Sequence, residues 1–242
     1  MVKTLVEEAY GRVRWAILMG RHEPGSRLPT AELCGMYDTS AGVLREVLTR
    51  LVGDGLVVSE PQRGFRVCDV SVEDLQRLTE ARVMIEPVVL KHAIESGDVA
   101  WESRVVAALH TLLHTARDEF APSQEWLTAH IALHEELLSA APNARLRSIA
   151  ASLRDATEIY RFWSNRTVPQ HRDVDSEHKE LVEATLAGDI TLATTRLVQH
   201  IELGTQILLA NQRNLTLSTP GTTISSPVET KGALPGRTQH QG

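Results

Sequence analysis

Leu5, Ala9, Val13, Ala16 and Ile17 recur at the three-and-four spacing of a single helix face, and Gly20 followed by Pro24-Gly25 closes the run. After Arg27-Leu28-Pro29 the pattern predicts a short helix over 30–36 with Thr30 as its N-cap. A third helix is expected after Asp38-Thr39-Ser40, with Leu44, Val47, Leu48 and Leu51 on one face. Two short β-rich runs follow, 56–59 and 65–68, joined by Glu60-Pro61-Gln62-Arg63-Gly64. Three helices and then a hairpin is the order of a winged helix-turn-helix.

From Ser71-Val72-Glu73-Asp74, which reads as a capped helix start, almost everything is helical in period. Helices are expected at roughly 71–96, 99–118, 123–140, 142–166, 175–187 and 189–211. Turn signals part them at Ser96-Gly97-Asp98, Ala121-Pro122-Ser123, Ala141-Pro142-Asn143, Val168-Pro169 and Gly188-Asp189. Pro87 should kink the first of them near Glu86. The predicted fold is therefore mainly α. A winged helix-turn-helix fills 1–70, an all-α bundle of about six helices 71–211, and a Thr/Ser/Pro/Gly-rich disordered tail 212–242.

Composition narrows the class. With 242 residues, 42% hydrophobic and 23% charged, the chain reads as a soluble globular protein large enough for two cores. It has no apolar run long enough to span a bilayer, and Lys3, Glu7 and Glu8 stand where a signal peptide would be apolar, so the expected location is cytoplasmic. Cys34 and Cys68 stand alone and form no CxxC site. The net charge of −6 is unevenly spread. Residues 1–70 are neutral, with nine basic and nine acidic side chains, whereas 71–211 carry 13 basic against 21 acidic. Eight of those nine N-terminal cations are arginines, the side chain suited to phosphates and guanine edges.

In a helix-turn-helix the second helix of the motif enters the major groove with its N-terminal residues on base edges. Here that helix begins at Ser40, which could cap it and also bond a phosphate. Ala41, Gly42, Arg45, Thr49 and Arg50 lie opposite its leucine face, and Thr30 opens the preceding helix. Gly64 at the hairpin tip leaves room for close approach to a minor groove that Arg63 could enter. The DNA-contact set is therefore Thr30, Ser40, Ala41, Gly42, Arg45, Arg50, Arg63 and Gly64. The run from Pro24 to Val67, including Val43-Leu44-Arg45-Glu46-Val47-Leu48, Gly55-Leu56-Val57 and Arg63-Gly64, resembles the winged-helix domain of the GntR family of bacterial transcription regulators. That family usually has Gly-Val-Ser-Arg where this chain has Asp38-Thr39-Ser40-Ala41, so an arginine that often reads a base is here an alanine.

The bundle is rich in histidine. His130 and His134, four apart in LTAHIALHEELL, share a face with Leu127, Ile131 and Leu138. His178 and His200 sit at nearly equal distances on either side of Gly188-Asp189, so an antiparallel helix pair would bring them level. His110 and His114 form a rival pair, and spacing alone does not choose between them. The six helices resemble the FCD effector domain of the FadR branch of the GntR family. Its metal-binding members carry Asp-x3-His, then a His after an acidic residue, then a His in the last helix. The resemblance implies a site of His130, His134, His178 and His200, with His130 in the place of the usual aspartate. It also implies that Arg82, in Glu80-Ala81-Arg82, faces an effector; the alternative for Arg82 is an ion pair with Glu86.

These readings together predict a homodimeric transcription regulator, a repressor, that binds operator DNA and senses a small organic acid through a divalent transition metal. Zinc is the first choice of ion, with nickel, iron or manganese as alternatives. A metal-free effector pocket is the second reading. A metal-dependent hydrolase is the third, and it lacks support because Ile131 follows His130, so there is no HExxH motif. No enzymatic activity and no membrane partner are expected.

Overall fold

The computed structural model describes residues 4–116, 123–164 and 172–218. Helix α1 (Leu5–Leu18) opens with a capping box in which the Thr4 hydroxyl accepts from the Glu7 N–H and the Glu7 carboxylate accepts from the Thr4 N–H. Helices α2 (Thr30–Met36) and α3 (Ala41–Gly53) follow, then strands β1 (Val57–Glu60) and β2 (Gly64–Val67). The strands pair antiparallel from Val57↔Val67 to Glu60↔Gly64, and the turn uses positive φ at Gln62 (62°) and Gly64 (89°). Leu44, Val47, Leu48 and Leu51, the predicted inner face of α3, are fully buried against Ala9, Val13 and Ile17 of α1. Thr30 is not the expected N-cap. Pro29 holds that position, because its carbonyl already accepts the Leu33 N–H at 3.1 Å.

The bundle consists of α4 (Val72–Ser96), α5 (Val99–Leu113), α6 (Gln124–Ser139), α7 (Ala144–Ser164), α8 (Val174–Leu186) and α9 (Ile190–Ser218). Side-chain caps start most of them: Ser71 accepts from the Asp74 N–H, Asp98 from Trp101, Ser123 from Trp126 and Asp173 from Ser176. Helix α4 passes through Pro87 as one element. Two ends differ from expectation. Helix α5 stops at Leu113 instead of 118, since the Thr115 N–H closes a tighter turn on the Leu112 carbonyl. Helix α9 continues past residue 211 to Ser218, into the stretch expected as tail. The turn signals at Ala121-Pro122 and Val168-Pro169, and the remainder of the expected tail, lie outside the described residues.

The bundle core is built from Leu90, Ala93, Trp101, Val105, Leu133, Leu137, Leu181 and Leu197 and their neighbours. Trp101 anchors α5 to α6 by donating its indole N–H to the Glu136 carbonyl at 2.8 Å. The winged helix and the bundle meet where α1 crosses α7. Ile159 of α7 is 1% exposed and belongs to the winged-helix core, and the Arg14 guanidinium of α1 bonds both carboxylate oxygens of Asp155 on α7. Among the described residues no helix is long and apolar enough to cross a membrane.

Gly97 and Gly11 make opposite predictions. A Cβ on Gly97 would lie 2.0 Å from Cε3 of the buried Trp101 ring, whereas one on Gly11, in mid-helix, meets nothing within 4 Å. In urea unfolding, Gly97→Ala should destabilise by about 1–3 kcal/mol through overpacking, and Gly11→Ala should stabilise by about 0.5–1 kcal/mol through helix propensity.

Candidate metal centre

The cap at Ser123 sets the rotation of α6, and with it the inward face that carries Trp126, Leu127, His130, Leu133 and His134, all buried. Gly188 (φ 69°) turns α8 back into α9, and this hairpin brings His178 (0% exposed) beside His200 (7% exposed), ring centroids 4.6 Å apart. The four histidines expected from the sequence therefore converge. Each offers one ring nitrogen, and these four atoms lie within 4.8 Å of one another. His134 Nε2 and His178 Nε2 are 3.3 Å apart. A tetrahedral zinc site with Zn–N bonds of about 2.0–2.1 Å has ligand nitrogens about 3.3 Å apart, so this pair already has the spacing of two ligands.

The rings are held from behind. Trp126 stacks on His130 at a centroid distance of 4.9 Å with 16° between planes. His200 Nδ1 lies 2.9 Å from Glu177 Oε2, and a proton on Nδ1 shared with that carboxylate would leave Nε2 as the ligand nitrogen for the cluster. Arg172 locks that arrangement by donating to Glu177 Oε1 at 2.6 Å and to the His200 carbonyl at 2.9 Å. Burial, followed by the neighbouring His200 and His178, pushes the His134 pKa well below its ordinary value, so its imidazole is neutral and able to act as a ligand. A buried, oriented set of four imidazoles could hold a divalent transition metal.

Beside the rings lies a cavity of about 20 Å³, room for a single water, also lined by Arg82, Arg154, Thr157 and Glu158, the last with Oε1 4.0 Å from His130 Nδ1. Arg82 makes the ion pair with Glu86 given as its alternative, through Nε to Oε1 at 2.6 Å and Nη2 to Oε2 at 3.4 Å, and also lines the cavity. The sequence reading missed Arg154, Glu158 and Arg172. Arg154 and Glu158 carried a signal, being charged residues at i and i+4 on the stripe of α7 that includes the buried Ala150. The rival His110 and His114 stack on each other at the exposed end of α5, away from the cluster.

At the opposite end of the molecule Ser40 caps α3, accepting from the Val43 N–H at 3.3 Å, and Ala41, Gly42 and Arg45 are exposed beside it. Arg63 and Gly64 are exposed at the hairpin tip, and Thr30 is half-buried at the start of α2. Arg50, in the last turn of α3, lies 4.0 Å over the Tyr10 ring, a cation–π contact that ties it to α1.

Comparison with known proteins bears on both ends. Residues 5–67 match the model of the bacterial regulatory proteins of the gntR family, and residues 77–203 match the FCD domain. The chain is 35% identical to the uncharacterized HTH-type transcriptional regulator BphR of Paraburkholderia xenovorans, over 83% of this chain and 84% of that protein. It is 31% identical to the HTH-type transcriptional repressor GlaR of Escherichia coli, over 78% of this chain and 90% of the repressor. Among solved structures it resembles Escherichia coli McbR/YncC, with a TM-score of 0.75 at 18% identity, covering 87% of this chain and all of that one.

Protein freed of metal by a chelator should lose stability on acidification. The lowered pKa of His134 means the unfolded chain binds its proton first, so the contribution of this group is intact above about pH 6.5. Below that it should fall by up to about 1.4 kcal/mol per pH unit until the folded-state pKa is reached. Thermal melts between pH 8 and pH 5 check this; a flat profile would mean that His134 is not buried as a neutral ring.

Proposed function

Because this chain belongs to the gntR family of bacterial regulatory proteins and carries an FCD domain, we propose that it is a repressor whose grip on operator DNA is set by a small carboxylate bound at the four-histidine site. Its family makes it a DNA-binding transcription regulator and not an enzyme. The observation that carries the finer reading is a cluster of four buried imidazoles, three of which line a cavity that two arginines also line. A divalent ion there, zinc in the first instance, would supply positive charge to attract a carboxylate oxygen as a further ligand. His130, His134, His178 and His200 would hold it, with Glu177 and Arg172 orienting His200.

DNA recognition falls to Ser40, Ala41, Gly42 and Arg45 at the start of α3, in the major groove, and to Arg63 and Gly64 of the hairpin in the minor groove. Thr30 sits where a backbone phosphate would be met, and Arg50 supports the helix from Tyr10. The active species in this reading is a cytoplasmic homodimer reading two half-sites. The exposed apolar side chains of Met84 and Val88 on α4 and Ile149 on α7 offer it a contact face.

The link between the two ends is α7. A cavity of about 20 Å³ cannot take an organic acid without its walls parting, and α7 is one of those walls. Arg154, Thr157 and Glu158 face the cavity, while Asp155 and Ile159 hold the winged helix through Arg14 and the core of that domain. Displacement of α7 by a ligand therefore re-aims α1 and the reading helix behind it, which gives the acid its different affinity for the two arrangements.

Two measurements test this reading on an operator selected from random DNA by the protein itself. Arg45→Ala should weaken operator binding by about 10- to 100-fold in fluorescence anisotropy. Asp155→Asn should leave zinc content and the thermal shift given by an acid at their wild-type values, yet reduce the effect of that acid on operator affinity by at least about fivefold. If Asp155→Asn responds to the acid like the wild type, α7 is not the link. If neither zinc nor any carboxylate alters the DNA complex, the regulatory reading of the site is wrong.

A further inference from the structure

The two arginines on the cavity wall are not equivalent. Arg82 is matched: Glu86 takes two of its donors, and Nη1 reaches the Thr157 hydroxyl at 3.4 Å. Arg154 is 8% exposed, its Nη1 is buried without a hydrogen-bond partner, and it stands in no ion pair among the described residues. Burial, with Arg82 nearby, pushes its pKa down against the longer-range pull of Glu86, Glu135 and Asp155, but a guanidinium keeps its charge in a protein. A buried cation with no bonded anion is costly and aims at whatever anion the cavity admits.

The charges on that wall point the same way. Arg82 and Arg154 are offset by Glu86 and Glu158, so these side chains sum to zero. Imidazole ligands are neutral, so an ion held by four of them keeps its full double charge. The histidines come from α6, α8 and α9, whereas Arg154 comes from α7 and lines the same cavity.

We infer that the effector is a small acid with two anionic ends, one directed at the four-histidine site and the other received by Arg154. The inference rests on the reading of that site as the effector site. With the wall neutral and the ion doubly charged, a ligand with one anionic end offsets only half of the ion's charge and leaves Arg154 Nη1 without a hydrogen-bond partner, while a two-ended one matches the charge and reaches α7. Arg154 is then the residue that separates dicarboxylates from monocarboxylates.

The test uses the full chain, loaded with zinc to measured saturation, and two pairs of acids of equal carbon count: malate against 2-hydroxybutyrate, and succinate against butyrate. Isothermal titration should show the wild type binding the dicarboxylate of each pair at least about tenfold more tightly, the scale of one hydrogen-bonded charge contact. Arg154→Met should reduce that preference to less than about twofold, and Arg154→Lys, which keeps the charge, should retain part of it. Without acid, Arg154→Met should melt about 2–4 °C higher, because a buried unmatched charge has been removed. Equal affinity for both members of each pair in a zinc-loaded wild type overturns the two-ended ligand alone. So does a preference that survives in Arg154→Met, or a lower melting temperature with loss of zinc, which would mark a structural role. A wild type that holds no zinc, or binds no acid, overturns the effector-site reading as well.

Discussion

Burying four imidazoles among Leu133, Leu137, Leu181 and Leu197 is unfavourable unless every ring is oriented and given something to bind. The local design of the bundle follows from that constraint. Helix α6 must start at a fixed rotation, which the Ser123 cap supplies, so that residues four apart both look inward. Helices α8 and α9 must run antiparallel in register, which needs the left-handed turn at Gly188. His130 is flattened against Trp126, and His200 is tied to Glu177 and Arg172. These outer contacts leave the ligand nitrogens pre-aimed, so little reorganisation stands between the folded chain and an occupied site.

Helix α7 carries the second constraint, because it serves two cores at once. At 100° per residue, positions 154 and 158 share one face and 155 and 159 share the next. The first face supplies Arg154 and Glu158 to the cavity, and the second supplies Asp155 and Ile159 to the winged helix. Rotating or translating this helix therefore cannot disturb one partner without disturbing the other. The buried Tyr160 adds a third tether, donating its hydroxyl to Asp74 at 2.6 Å in the first turn of α4, the helix that begins the bundle.

Most of the fold was legible because it rests on local patterns. The three-and-four spacing of Leu44, Val47, Leu48 and Leu51 placed α3, and the near-equal arms about Gly188 brought His178 and His200 level. Where the reading slipped, the deciding interaction was a backbone bond invisible in side-chain pattern. The Pro29 carbonyl displaced Thr30 from the cap, and a tight turn after Leu112 shortened α5. At the site, the histidines stood out because imidazoles on an apolar stripe are unusual, and the family resemblance selected them over His110 and His114. Arg154 and Glu158 did not stand out. Charged residues on a long helix read as solvent-facing until the packing of α4 and α9 on the same stripe is known, and that packing is tertiary.

The unmatched state of Arg154 bears directly on how a signal could pass. A ligand shifts an equilibrium only by its difference in affinity between two arrangements. An acid that filled a pre-formed pocket would bind both equally and change nothing. Here the small cavity leaves the guanidinium desolvated, with Nη1 unbonded. In the proposed reading, an anion would reach Arg154 only once α7 had moved, so its interaction energy would be reserved for the opened arrangement. By linkage, operator DNA favouring the other arrangement would then weaken the acid by the same factor. Coupling of this kind needs no continuous chain of contacts beyond one helix whose two faces are held by different partners.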